Sequence, residues 1–246
     1  MHHDIRRHRY LPITAADILL IFIIGFGVAR VFFPVIIESL QINIKSDGNK
    51  ITIIMAILAI QTLLLFGILY IIVVRLRGVT WAELGFTPLP REWIGRSLML
   101  AVMSFPLVGA ASWLQQQITG TPFENPQFQT MAPNNFSWLN YIITLSIAGI
   151  IAPIVEETIF RGLLYRWLHE RTSYFWAILG SSFVFSFLHG IPSLIPGIMI
   201  LGILLAWIYQ RVQSIWAPIL VHGTYNAIVT TALYAALAQG ISPPGT

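Results

Sequence analysis

The chain contains no cysteine, and only 10% of its 246 residues are charged. The first absence excludes disulfide stapling, thiolate metal sites and a cysteine nucleophile. The second excludes a soluble globular enzyme, which carries about 25% charged residues. Disorder is excluded too, because the low charge accompanies 56% hydrophobic and 13% aromatic residues. What is present is apolar length. Mean hydropathy is +0.75, and the chain accommodates six to eight spans at roughly 20 residues each.

Seven apolar runs stand out, at roughly 17–37, 51–74, 97–115, 138–160, 174–189, 192–210 and 215–238. The expected fold is all-α, a polytopic transmembrane helical bundle of about seven spans. The first run is too long for a signal-peptide core and lacks a small-residue cleavage site after it, so it reads as a retained span. The fifth and sixth are nearly continuous, broken at Gly190–Pro192, and read as a tight hairpin or a partly re-entrant pair. Longer polar stretches are expected at Arg75–Arg96 and Gln116–Ser137. No internal repeat is evident. With the N-terminus in the cytoplasm, alternation leaves Arg6, Arg7, Arg9, Arg75, Arg77, Arg91, Arg96, Arg161, Arg166, Arg171 and Arg211 inside. Only Lys45 and Lys50 fall outside, and Arg30 lies within the first span. That split satisfies the positive-inside rule. The tryptophans agree, with Trp113 and Trp138 at outer ends and Trp167, Trp176, Trp207 and Trp216 at inner ends. The localisation expected is integral and multi-pass, in the plasma membrane if the source is bacterial.

A charge in the bilayer core is costly and marks function by default. Of the acids only Glu156 and Glu157 lie within an apolar run, and of the histidines only His189 and His222 do. If the fourth helix continues to about Leu168 and the fifth returns antiparallel, Glu156 and His189 lie about 15 and 17 residues from the turn. Their depths then differ by roughly 3 Å. Glu157 and Arg161 are i and i+4 and share a helical face, while Glu156 is rotated by about 100°. His222 and Asn226 are again i and i+4. A glutamate and two imidazoles in a low-dielectric site suit water activation, with Glu156 taking the proton. His189 would bind the same water, or a metal holding it. His222 and Asn226 would stabilise the oxyanion of a tetrahedral intermediate. Glu156, His189 and His222 equally compose a His₂Glu metal set with an open position for water. Other intramembrane designs are missing. His169-Glu170 is followed by Arg171-Thr172-Ser173, so H-E-x-x-H is absent. No aspartate lies within an apolar run, and Gly180-Ser181-Ser182-Phe183 lacks the Gly-x-Ser-Gly turn.

Three segments in order carry a resemblance. Glu156-Glu157-Thr158-Ile159-Phe160-Arg161 fits E-E-x-x-x-R, Phe185-Ser186-Phe187-Leu188-His189 fits F-x-x-x-H, and His222-Gly223-Thr224-Tyr225-Asn226 fits H-x-x-x-N. With Ser214–Leu220 and Glu83-Leu84-Gly85-Phe86, the region from about 80 to 230 resembles the CPBP family of intramembrane proteases. That family includes type II CAAX prenyl endopeptidases and bacteriocin-processing or immunity proteins. The resemblance implies a catalytic base at Glu156 with His189 as its partner. It implies transition-state stabilisation by His222 and Asn226, and a supporting ion pair in Glu157 and Arg161. The family is labelled a metalloprotease, and a metal-independent, glutamate-dependent mechanism is argued for it as well. The expected cofactor is therefore one divalent metal, zinc first, or none.

The expected organisation is motif-free helices over 1–79, the protease core over 80–238 and a tail over 239–246. The expected partners are a peptide or membrane-protein substrate, lipidated or not, and the lipid bilayer, with no nucleic acid. The alternative from another class is a non-proteolytic membrane scaffold or immunity-type binding protein. A proton-coupled transporter ranks last, since transporters of that kind are built from repeats. Arg30 is assigned no role.

Overall fold

The computed structural model describes residues 10–28, 31, 35, 38–39, 50–120 and 136–241. Arg30, Lys45, Arg6, Arg7, Arg9, most of the 116–137 stretch and the end of the tail lie outside the described residues. Among the described residues there are seven helices and no strand. They are α1 (Ala15–Gly27), α2 (Ile51–Leu76), α3 (Arg91–Thr119), α4 (Trp138–His169), α5 (Tyr174–Leu188), α6 (Pro192–Val212) and α7 (Trp216–Ala238). Four of them, α2, α3, α4 and α6, are long and apolar enough to cross a membrane; α1 and α5 are apolar but shorter. The expected seven crossings thus appear as seven helices of which four meet both criteria. The apolar character of α7 is diluted by His222, Asn226 and the threonines at 224, 230 and 231.

Local chemistry sets the ends. Thr14 caps α1 in a capping box with Asp17, and Ser137 caps α4 by accepting from the Asn140 amide. Gly120, with φ +67°, ends α3 in the left-handed region that glycine enters without a Cβ clash. The polar stretch expected over 75–96 is shorter than that. Helix α2 runs on to Leu76, and Arg91 already begins α3 behind extended Pro90. Proline fixes the φ of the residue in front of a helix, so the register restarts there. The break at Gly190–Pro192 is a tight turn, with Gly190 at φ +69°.

Two buried clusters flank the centre. One joins α1, α2 and α4 through Ile21, Leu69, Val73, Ile159 and Leu163, with Leu84 of the α2–α3 connection. The other joins α3, α6 and α7 through Ala101, Leu205, Ile208, Ala217 and Val221. Helix α6 packs chiefly on α5, and α7 on α3 and α4. The outer faces expose Leu63, Met99, Val102, Met103, Phe183 and Phe187. Such continuous apolar exposure calls for lipid as the solvent.

Candidate active site

The site is built around α4. Its central stretch contains wider, π-type turns at Ile147–Ile151 and Thr158–Tyr165. Turns of this kind recur at functional sites because they rotate the residues that follow. The first has a consequence written in the sequence. In its register the Ala152 amide donates to the Ile147 carbonyl, five residues back. The next donor in that series, for the Ala148 carbonyl, is residue 153, a proline without an N–H. The Ala148 oxygen instead accepts from Asn226 Nδ2 on α7, at 2.9 Å. Gly223 lies one turn earlier on α7. A Cβ there would stand 2.6 Å from the Gly149 carbonyl, so the two backbones meet where only glycine fits.

This contact brings α7 onto the paired glutamates. Glu157 Oε1 accepts from Arg161 Nη1 at 2.9 Å and from His222 Nδ1 at 2.8 Å, and both partners are buried with it. Arg161 Nη2 donates to the Gly202 carbonyl of α6 at 3.0 Å, and its guanidinium lies 4.5 Å from the Phe185 ring centre. Glu157 therefore serves two partners, where the i, i+4 spacing reveals only one. Because the carboxylate oxygen accepts, the Nδ1 of His222 carries the proton and its Nε2 is turned toward Glu156. That Nε2 lies 3.9 Å from Glu156 Oε2. The separation exceeds a direct hydrogen bond. It matches two bonds of about 2.8 Å meeting near a right angle at one water. Glu156 is 24% exposed in its side chain, against 0% for Glu157.

His189 ends α5 and donates Nδ1–H to the Phe185 carbonyl at 2.8 Å, so its Nε2 is the bare acceptor. The Phe185 ring stands edge-on to both imidazoles, 4.8 Å from His189 and 5.7 Å from His222. Phe185 thus spaces the two histidines and covers the Arg161 charge. Asn226 is turned to Ala148 rather than to the neighbouring imidazole. Motif spacing does not single out Pro153, Gly149, Gly202 or Gly223, though all four shape the site. The signals available for them are a proline four residues after a glycine and a glycine directly after His222.

Among the described residues no group of three His, Asp or Glu is arranged to hold a metal ion. An apolar cavity of about 490 Å³ lies against the α4–α7 contact, lined by Ile150, Ile154, Leu220, Gly223 and, toward the arginine-rich end, Leu89 and Trp216.

Residues 138–228, which hold Glu156, Glu157, Arg161, His189, His222 and Asn226, match the family model described as type II CAAX prenyl endopeptidase Rce1-like. Among curated proteins the chain is similar to the "Putative membrane peptidase YdiL" of Bacillus subtilis (strain 168). The two are 28% identical over 147 residues, 56% of this chain and 57% of that protein. The match therefore spans little more than half of either protein. No solved structure matches the chain. Through the region from α4 to α7, this chain is similar to the type II CAAX prenyl endopeptidase Rce1-like family.

Proposed function

We propose that the chain is a membrane-embedded endopeptidase that hydrolyses peptide bonds with a water activated by Glu156. The observation that carries this reading is the division of labour between adjacent glutamates. Glu157 is buried and committed to Arg161 and His222, while Glu156 is partly exposed and faces His222 Nε2 across one water's breadth. Glu156 takes a proton from the water as its oxygen attacks the carbonyl carbon. The bare Nε2 of His189 orients that water. The oxyanion faces His222 Nε2, when protonated, and the second hydrogen of the Asn226 amide, whose first is held by Ala148. Glu156 then passes its proton to the leaving nitrogen as the C–N bond breaks, giving a free carboxylate and an amine.

The substrates that fit are peptides and membrane-associated or lipidated polypeptides, cut near the interface at the arginine-rich end of the bundle. The positive-inside distribution supports a cytoplasmic placement of that end. The test is hydrolysis of a proteome-derived peptide mixture by the purified protein in liposomes, read by mass spectrometry. Wild type is expected to generate new termini that Glu156→Ala and His189→Ala do not. Full activity in either variant would sink the mechanism. A scaffold or immunity-type protein would retain its function in Glu156→Gln.

A further inference from the structure

The segment Thr80–Thr87, between α2 and α3, takes no part in the chemistry above, yet its fold is fully specified. Glu83 Oε2 accepts from the Thr80 amide and hydroxyl, both at 2.8 Å, and Thr80 Oγ1 accepts from the Glu83 amide at 3.2 Å. This is a capping box around a single turn. The turn is closed at its other end by Phe86 N–H to Trp81 O and Gly85 N–H to Ala82 O, both 3.0 Å, with Gly85 at φ +93°. That pair of bonds is a Schellman closure, which needs a left-handed residue at the glycine position. Every residue of Glu83-Leu84-Gly85-Phe86 thus has a separate part in the turn. Glu83 completes the box, Leu84 is a buried plug, Gly85 makes the left-handed closure, and the Phe86 ring stands edge-on to both Trp81 and Trp216.

The preformed turn touches all three helices that supply the Glu157 network. On α4, a Cβ at Gly162 would stand 2.6 Å from the Leu84 carbonyl, and Arg166 donates to the Glu83 carbonyl. On α6, the Tyr209 ring lies directly under Gly85, whose Cβ would stand 2.7 Å from the Tyr209 hydroxyl. At the start of α7, Gly85 O accepts from the Ile215 amide at 2.7 Å. Two reciprocal bonds, Thr87 Oγ1 to Gln213 O and Ser214 Oγ to Thr87 O, both 2.7 Å, fix the same corner. Gly162 directly follows Arg161, and His222 lies two turns beyond Ile215, about 10.5 Å along the axis.

We propose that Thr80–Thr87 is a positioning clip: by fixing the start of α7 against Gly162 of α4, it sets the register in which His222 meets Glu157. Leu84, Gly85, Thr87 and Ser214 are positioning residues, since none touches the reacting atoms. The inference rests on the peptidase reading for its kinetic arm only.

The test compares Gly162→Ala, which forces a Cβ against the Leu84 carbonyl, with the milder pair Thr87→Val/Ser214→Ala, which deletes the two reciprocal bonds. Two readouts are taken on the whole protein in detergent micelles. The first is the histidine side-chain ¹H–¹⁵N spectrum, with the His222 Nδ1–H signal assigned by its absence from His222→Ala. The second is kcat and KM on a peptide found in the cleavage assay. We expect the His222 signal to shift or broaden in both variants, with kcat down 10- to 100-fold at a KM within twofold, the scale of an ångström misplacement. Adding either change to His222→Ala should lower kcat no further. A clip that is only structural would lower the melting temperature while the His222 signal and kcat of the folded protein stay unchanged, and that result overturns the proposal. If Gly162→Ala does not fold, the double variant decides alone. A wild type that hydrolyses nothing would defeat the peptidase reading, and the His222 signal would still decide the clip.

Discussion

Removing Glu157 offers the sharpest separation of stability from chemistry. In Glu157→Ala the buried Arg161 loses its counter-charge and His222 Nδ1 loses its acceptor. Breaking a buried pair by deleting one partner costs about 3–5 kcal/mol, because the other charge stays buried and uncompensated. Each kcal/mol lowers the melting temperature by about 2–4 °C for a chain of this size, so Tm should fall by roughly 6–20 °C. Replacing both members, Glu157→Leu with Arg161→Met, removes the stranded charge and should recover most of that loss, since apolar isosteres of buried pairs are often neutral or stabilising. Activity should not recover with it, because His222 still lacks the acceptor that aims its Nε2. The assay is thermal unfolding in one detergent, followed by tryptophan fluorescence, beside peptide hydrolysis at a temperature where all variants are folded. Wild-type melting of Glu157→Ala, or a double variant that melts no higher than the single one, would refute the reasoning. So would a double variant that regains full hydrolysis.

Other expectations follow from the same geometry. Glu156→Gln should melt like wild type, because Glu156 is partly exposed and makes no direct hydrogen bond at 3.9 Å, while kcat falls about 10²–10⁴-fold, the range for loss of a general base; full activity contradicts the assignment. Asn226→Ala should lower kcat by about 10²–10³-fold if its second hydrogen meets the oxyanion. Adding Pro153→Ala, which returns an N–H near the Ala148 carbonyl, should restore thermal stability without restoring kcat; restored kcat would make Asn226 a clamp and nothing more. Gly223→Ala, with a Cβ 2.6 Å from the Gly149 carbonyl, should force α7 off α4 and lower both Tm and kcat, and an unchanged kcat would separate that contact from the site. Dialysis against a strong divalent-metal chelator should leave the rate within twofold; loss restored by zinc would make Glu156, His189 and His222 ligands that converge on binding.

The helices are legible in the sequence because apolar length and charge placement are one-dimensional signals. The residues that carry charge into the apolar runs are legible for the same reason, and the i, i+4 pair Glu157–Arg161 follows from helical geometry alone. What lies beyond the sequence depends on backbone departures and on contacts between distant segments. Pro153 orphans a carbonyl only because the preceding turn is π-type, so spacing pairs Asn226 with His222 but not with Ala148. The second bond of Glu157 crosses from α4 to α7, over 65 residues, and no local spacing encodes it. The polar stretch after α2 is shorter than its charges suggest. Arg91, Glu92 and Arg96 read as loop, whereas Pro90 starts a helix whose first turns stand beyond the apolar run. The box and closure of Thr80–Phe86 are present in the sequence as T-x-x-E-L-G-F, but their seat on α4, α6 and α7 is not.

The most direct measurement of the central claim is oxygen tracing in a single turnover. Enzyme in excess over one cleaved peptide is mixed in H₂¹⁸O, and the new C-terminus is weighed. If Glu156 activates a water that attacks the carbonyl directly, the first turnover places one ¹⁸O in the product carboxylate, and Glu156→Gln yields none. Product carrying only ¹⁶O in that first turnover would mean that an enzyme oxygen attacked instead, and would contradict the account.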